Sequence, residues 1–210
     1  MERPLKIKVC GMRNPDNILS VAALQPDYMG FIFYPQSKRY ADNLDPKTLA
    51  QLPETVRKTG VFVNASFNEI VEKVRDLGLH AVQLHGNEDA PFCGRVKVSG
   101  ITVIKAFGID TDFDFDRLKD YAGNVDYFLF DTKTTLYGGS GQAFNWDLLH
   151  NYTLDKPYFL SGGLDEALLE SVYTLNDERL HAIDLNSRFE TEPGLKDADR
   201  LKAVFERVRK

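Results

Sequence analysis

The chain has 210 residues, 43% of them hydrophobic and 27% charged, enough apolar material for one substantial core rather than a disordered or fibrous chain. Its net charge of −5, with basic side chains dispersed among acidic ones, offers no positive field for a phosphate backbone, so nucleic acid is not an expected partner. With no apolar stretch after the N-terminus suited to a signal peptide or membrane span, a cytoplasmic location is expected, where a disulfide between the only two cysteines, Cys10 and Cys93, is possible arithmetically but disfavoured.

Short apolar runs rich in Val, Ile, Phe and Tyr alternate along the chain with segments of helical period, the pattern of repeated strand–helix units around a parallel sheet. The first run, 6–9, ends at Cys10, and Asn14-Pro15 after it supplies a helix cap with proline at the first helical position. The second run, 28–33, precedes a loop holding Arg39, and Asp45-Pro46 repeats the capping signal. The third, 58–63, leads through Ser66 into a helix whose apolar stripe is Ile70, Val71, Val74 and Leu77. The fourth, 81–84, ends at His85, and the helix expected over 90–98 is weakened by Pro91 and Gly94.

The fifth run is 102–106 and the sixth is 127–130, the latter closed by Asp131. Residues 132–144 then form a loop around Gly138-Gly139-Ser140-Gly141, too irregular for a nucleotide-binding glycine loop, and read either as a lid over a substrate or as a plain surface loop. The seventh run, 158–161, is followed by Gly162-Gly163 and a helix expected to start near Leu164-Asp165, with Leu168, Leu169, Val172 and Leu175 as its stripe. The eighth, 182–185, contains Asp184 and leads into Asn186-Ser187-Arg188. Eight such units predict a single (β/α)₈ barrel, a TIM barrel, spanning 1–210 as one catalytic domain. An open doubly wound sheet would carry a glycine fingerprint in its first turn, which Cys10-Gly11-Met12-Arg13-Asn14 lacks.

In such barrels chemistry sits at the carboxyl ends of the strands, which makes position along a run informative. Gly162-Gly163 lets backbone amides approach an anion, and beside Asn186, Ser187 and Arg188 it reads as a phosphate cradle in preference to an ordinary tight turn. Cys10 reads either as a small core residue or, with Asp131 at a comparable level of the barrel, as half of an acid/base pair. With ordinary pKa values of about 8.5 for a thiol and about 3.9 for a carboxyl, such a pair works near neutrality only where burial or a nearby cation shifts them. Lys8 shares a strand face with Cys10 and is either that cation or half of an ion pair inside the barrel. His85 lines the pocket or is a hydrogen-bonded structural histidine. The four histidines show no metal-ligand spacing, and no metal is expected.

These residues resemble the phosphoribosylanthranilate isomerase family from Lys8 to about Asp197. The segments that carry the likeness are Lys8-Val9-Cys10-Gly11-Met12-Arg13, Gly30-Phe31-Ile32-Phe33 with Ser37-Lys38-Arg39-Tyr40, Gly60-Val61-Phe62-Val63-Asn64, Val82-Gln83-Leu84-His85-Gly86, Phe130-Asp131 with Gly138-Gly139-Ser140-Gly141, and Leu160-Ser161-Gly162-Gly163-Leu164. The resemblance implies an Amadori rearrangement in tryptophan biosynthesis without a cofactor, on a small phosphorylated substrate, by a monomer or homodimer. It implies Asp131 as general acid, Cys10 as general base, Arg39 facing the anthranilate carboxylate, Asp184 contacting substrate, and Gly162, Gly163 and the turn after the eighth strand at the phosphate. Asn186-Ser187-Arg188 departs from the family's Ser-Ser-Gly type turn, replacing a glycine with a cation that either adds a charge-assisted phosphate contact or points to solvent. A pentose-phosphate epimerase would need metal ligands that are missing, an indole-glycerol-phosphate synthase would need catalytic lysines of which Lys105 is the one tempting case, and a phosphate-binding sensor would need neither Cys10 nor Asp131.

Overall fold

A computed structural model describes residues 4–133 and 144–209. Eight parallel strands close on themselves: β1 Lys6–Cys10, β2 Tyr28–Ile32, β3 Arg57–Phe62, β4 Ala81–Leu84, β5 Thr102–Ile109, β6 Tyr127–Thr132, β7 Tyr158–Leu160 and β8 Leu180–Leu185. Closure is made by β1 against β8, where Lys8 pairs in register with Asp184. All eight apolar runs of the sequence are strands. β5 continues to Ile109 because its ladder with β6 runs on through Gly108 and Asp131 to Thr132.

The helices α1 Pro15–Ala22, α2 Pro46–Ala50 and α3 Phe67–Leu77 start where the capping residues predict, with Asn14, Asp45 and Ser66 each accepting a hydrogen bond from a first-turn amide. α4 Ala90–Val98 is a full helix despite Pro91, which occupies the first turn, where an amide hydrogen is dispensable. In the α3 stripe Ile70 and Leu77 are buried, but Val71 is exposed, so the contact face is narrower than the apolar pattern. The fifth and sixth units carry only 3₁₀ turns, Phe115–Asp120 and Trp146–Asn151. α5 Leu168–Thr174 follows a turn begun at Asp165, whose carboxylate accepts the amides of Ala167 and Leu168 as a helix cap does, so the start expected near Leu164-Asp165 is a capped turn and the regular helix follows it. α6 Ala198–Val208 completes the outer layer after an unexpected hairpin, β9 Glu190–Glu192 with β10 Leu195–Lys196.

Two apolar layers follow from strand alternation. Outward side chains such as Ile7, Phe31, Phe128, Ile183 and Leu185 pack beneath the helices, while Tyr28, Ala81, Ile104, Ala106, Leu129, Phe159 and Ala182 fill the barrel interior. The next inward residue toward the carboxyl end changes character. Above Ala81 comes Gln83, above Leu129 comes Asp131, above Phe159 comes Ser161, and above Ala182 comes Asp184, so a polar layer rests on an apolar floor. Lys105 alternates with Ile104 and Ala106 and therefore faces the helix layer, where it bonds Glu88 Oε2 at 3.2 Å and three backbone carbonyls. A catalytic lysine of the synthase type is not what that position holds. No helix among the described residues is long and apolar enough to cross a membrane.

Candidate active site

A cleft at the carboxyl ends of β6, β7 and β8 is lined by Asp131, Ser161, Gly162, Gly163, Leu164, Asp184, Asn186, Ser187 and Arg188. Gly162 and Gly163 both have left-handed backbones, with φ of 91° and 63°. A Cβ on Gly162 would lie 2.8 Å from the Thr132 amide nitrogen and 3.1 Å from Asp131 Oδ1, so only glycine lets this turn lie against the end of β6. The three-residue 3₁₀ turn Ser187–Phe189 faces it after β8, in the position where barrels of this type hold phosphate. Asn186 lines the cleft, but its Oδ1 accepts from Lys196 Nζ at 2.9 Å, so that atom is committed away from an anion. Arg188 is exposed on the rim.

Asp131 is 9% exposed, and its Oδ1 accepts from the Thr132 amide at 2.8 Å. Burial pushes its carboxyl up to about 6; the Thr132 amide opposes this, the charge on Asp184 adds to it, and Lys8 and the Ser161 hydroxyl oppose it again. At pH 7 about a tenth of this acid therefore keeps its proton, far more than an ordinary aspartate would. His85 Nε2 lies 3.7 Å from Asp131 Oδ2, while Nδ1 pairs with Gln83 Nε2 at 3.1 Å. Burial first, then the charges of Lys105 and Lys8, drives His85 down to about 3, so it is a neutral imidazole beside the carboxyl and not its counter-ion.

Lys8, fully buried, donates to Asp184 Oδ2 at 2.8 Å. Burial works against its ammonium, but Asp184 and Cys10 outweigh that and hold the charge in place. The alternatives left by the sequence thus merge, since Lys8 is an ion-pair partner and also acts on the thiol. Cys10 is buried against β2, where a Cβ at Gly30 would come 2.7 Å from its Sγ. Burial raises the Cys10 thiol, Lys8 lowers it, Asp184 raises it and Lys196 lowers it, with a net upward shift. Cys10 does not line the cleft described above. It meets Asp131 electrostatically through the Lys8–Asp184 pair, which acts on both.

Arg39 lies on the same rim, with its guanidinium on Glu190: Nε donates at 2.9 and 3.0 Å and Nη2 at 2.7 Å. Glu190 and Lys196 were not among the candidates read from the sequence, whereas Ser161 was, as the start of the Ser161-Gly162-Gly163 element that ends the seventh run. A usable signal was present for the first two, since Pro193-Gly194 between short polar runs marks a turn and hence a hairpin. The proposed lid segment around Gly138-Gly139-Ser140-Gly141 lies outside the described residues. Among the described residues no group of three or more His, Cys, Asp or Glu side chains is arranged to hold a metal ion.

Residues 7–207 match the family model described as N-(5'-phosphoribosyl)anthranilate isomerase. A protein of that name from Parabacteroides distasonis is 45% identical over 204 residues, covering 96% of this chain and 92% of the relative. A solved phosphoribosyl anthranilate isomerase in complex with reduced 1-(o-carboxyphenylamino)-1-deoxyribulose 5-phosphate superposes with a TM-score of 0.81 at 32% identity, covering 98% of each chain. A monomeric form made from the dimeric enzyme of Thermotoga maritima does so with a TM-score of 0.80 at 32% identity, again over 98% of each.

Proposed function

Because the chain belongs to the N-(5'-phosphoribosyl)anthranilate isomerase family, we propose that Cys10 and Asp131 carry the family's reaction here as base and acid. The protein is an isomerase of tryptophan biosynthesis that converts N-(5-phosphoribosyl)anthranilate into 1-(2-carboxyphenylamino)-1-deoxyribulose 5-phosphate. Protonated Asp131 gives its proton to the ribose ring oxygen. The C1′–oxygen bond breaks as the anthranilate nitrogen shares its lone pair with C1′, leaving a cationic imine. That cation acidifies C2′–H, the Cys10 thiolate takes the proton, and the electrons of the C–H bond form the C1′–C2′ double bond of an enolamine. Tautomerisation to the ketone completes the rearrangement with no net gain or loss of atoms, electrons or protons.

The observation that carries this assignment is a buried carboxyl with its proton affinity raised to about 6, opening onto the glycine cleft. General acid catalysis works best when the acid's pKa lies near the working pH. Lys8 and Lys196 are the cations that favour the thiolate, and the net upward shift of Cys10 means the thiol is mostly protonated before substrate binds. Gly162, Gly163, Asn186, Ser187 and Arg188 surround the phosphate, Arg39 faces the anthranilate carboxylate, and Asp184 and His85 flank the sugar. Residues 1–210 act as one catalytic domain on a small phosphorylated substrate, as a monomer or as a homodimer like the Thermotoga maritima relative.

The purified protein should consume N-(5-phosphoribosyl)anthranilate, followed as loss of substrate fluorescence. Cys10→Ser and Asp131→Asn should each lower kcat by at least about 100-fold, the lower end of what a positioned acid or base contributes, while binding of the reduced product changes little. Full activity in either variant would remove that residue from the mechanism.

A further inference from the structure

Beside the site the β9–β10 hairpin supplies a cluster whose contact with Arg39 has no role in the chemistry above. Lys196, on β10, has a fully buried side chain. Its ammonium donates to Glu190 Oε1 at 2.5 Å and to Asn186 Oδ1 at 2.9 Å. Glu190 also accepts the Gly194 amide at 3.1 Å, so the hairpin folds back onto its own first residue. On the other side Glu190 takes the Nε–Nη2 edge of Arg39. A guanidinium has a second edge, Nη1–Nη2, that matches a carboxylate equally well, and fixing one edge of a planar fork fixes the direction of the other. The Arg39 side chain retains 12% exposure, whereas Glu190 is 4% exposed.

Charge makes the arrangement specific. Arg39 paired with Glu190 alone would be neutral at close range and would offer an incoming carboxylate little attraction. Lys196 behind the pair supplies a second cation, its proton affinity lowered by burial and raised again by Glu190, and with it protonated the cluster is net positive. Gly11 forms the wall between them, since a Cβ there would lie 2.7 Å from Arg39 Cδ and 2.8 Å from Asn186 Oδ1.

The geometry points to Glu190 and Lys196 as positioning residues that aim the outer edge of Arg39 at the substrate's carboxylate and keep the cluster positive, making the hairpin a selector for carboxylate-bearing substrates. This rests on the reading of Arg39 as facing that carboxylate. It places on the β9–β10 hairpin a specificity function exerted through a residue more than 150 positions earlier in the chain.

The test is a ratio of affinities. Calorimetry on the intact protein should compare the reduced product with its counterpart lacking the carboxylate, in wild type, Arg39→Ala, Glu190→Gln, Lys196→Met and Lys196→Arg. A charge-assisted contact is worth roughly 10- to 100-fold in affinity. Glu190→Gln should reduce the preference for the carboxylate-bearing ligand by at least about 10-fold, because the aim of Arg39 is lost even though an anion is removed; Lys196→Met should reduce it as much through lost charge, and Lys196→Arg should keep most of it. The ratio is independent of how much of a sample is folded, so a destabilised variant still decides. Equal loss of affinity for both ligands, or an unchanged ratio, overturns the inference. If Arg39→Ala leaves the ratio unchanged, the reading of Arg39 has failed and this inference with it. If Arg39→Ala lowers the ratio but Glu190→Gln does not, only the inference has failed.

Discussion

Asp131 and Cys10 have displaced proton affinities for the same reason and with opposite consequences. Burial favours the neutral form of each, which suits an acid and hinders a base. The active form needs protonated Asp131 and ionised Cys10 together. Below about pH 6 the acid is protonated and the thiolate fraction grows tenfold per pH unit, so kcat/KM should rise with pH. Above about 6 the acid is lost as fast as thiolate is gained, so the profile should level, and it should fall only once Cys10 is fully ionised. Asp131 thus owns the break near pH 6. A profile measured from pH 5 to 9 that shows no break there would remove the raised carboxyl from the mechanism.

At the scale of elements, the site depends on how β6 ends against the turn after β7. Gly162 sits with φ at 91° over the amide of Thr132, the same amide that holds Asp131. Gly162→Ala adds left-handed strain of about 1–2 kcal/mol together with a clash against backbone, which cannot swing aside as a side-chain tip can. The expected outcome is a modest fall in melting temperature, weaker binding of inorganic phosphate, and a pH-rate break displaced from 6 because Asp131 has moved. Wild-type phosphate affinity in this variant would mean that the glycine turn is not part of the anion site. The Pro91 and 3₁₀ segments teach a related lesson. Proline in a first turn is compatible with α4, while the fifth and sixth units close their crossovers with a few residues of 3₁₀ turn.

At the scale of the whole molecule, the barrel carries a polar layer on an apolar floor and gives up stability for it. Asp131 has a folded-state pKa near 6, above the roughly 3.9 of an unfolded aspartate. The folded state therefore binds the proton more tightly, and the stability this contributes is complete below pH 4 and is lost as pH rises through 6. Asp131→Asn removes that loss. The variant should be about 1–3 kcal/mol more stable than wild type at pH 8, with the advantage shrinking to nothing below pH 4, as read by urea denaturation at each pH. Equal stability of the two proteins at pH 8 would contradict the burial of a charged group at this position.

Local order in the sequence determined the eight strands, the caps at Asn14, Asp45 and Ser66, and the placement of Cys10, His85, Asp131 and Asp184 at strand ends, because period-two alternation and cap chemistry act between residues a few positions apart. The tertiary structure alone decided that Lys8 and Asp184 are partners, that Lys105 faces away from the site, and that Arg39 is clamped by Glu190 and backed by Lys196. Those side chains lie up to 176 positions apart, and a buried charge finds its counter-charge only when barrel closure brings β1 beside β8. Nothing in the neighbourhood of either residue announces that meeting.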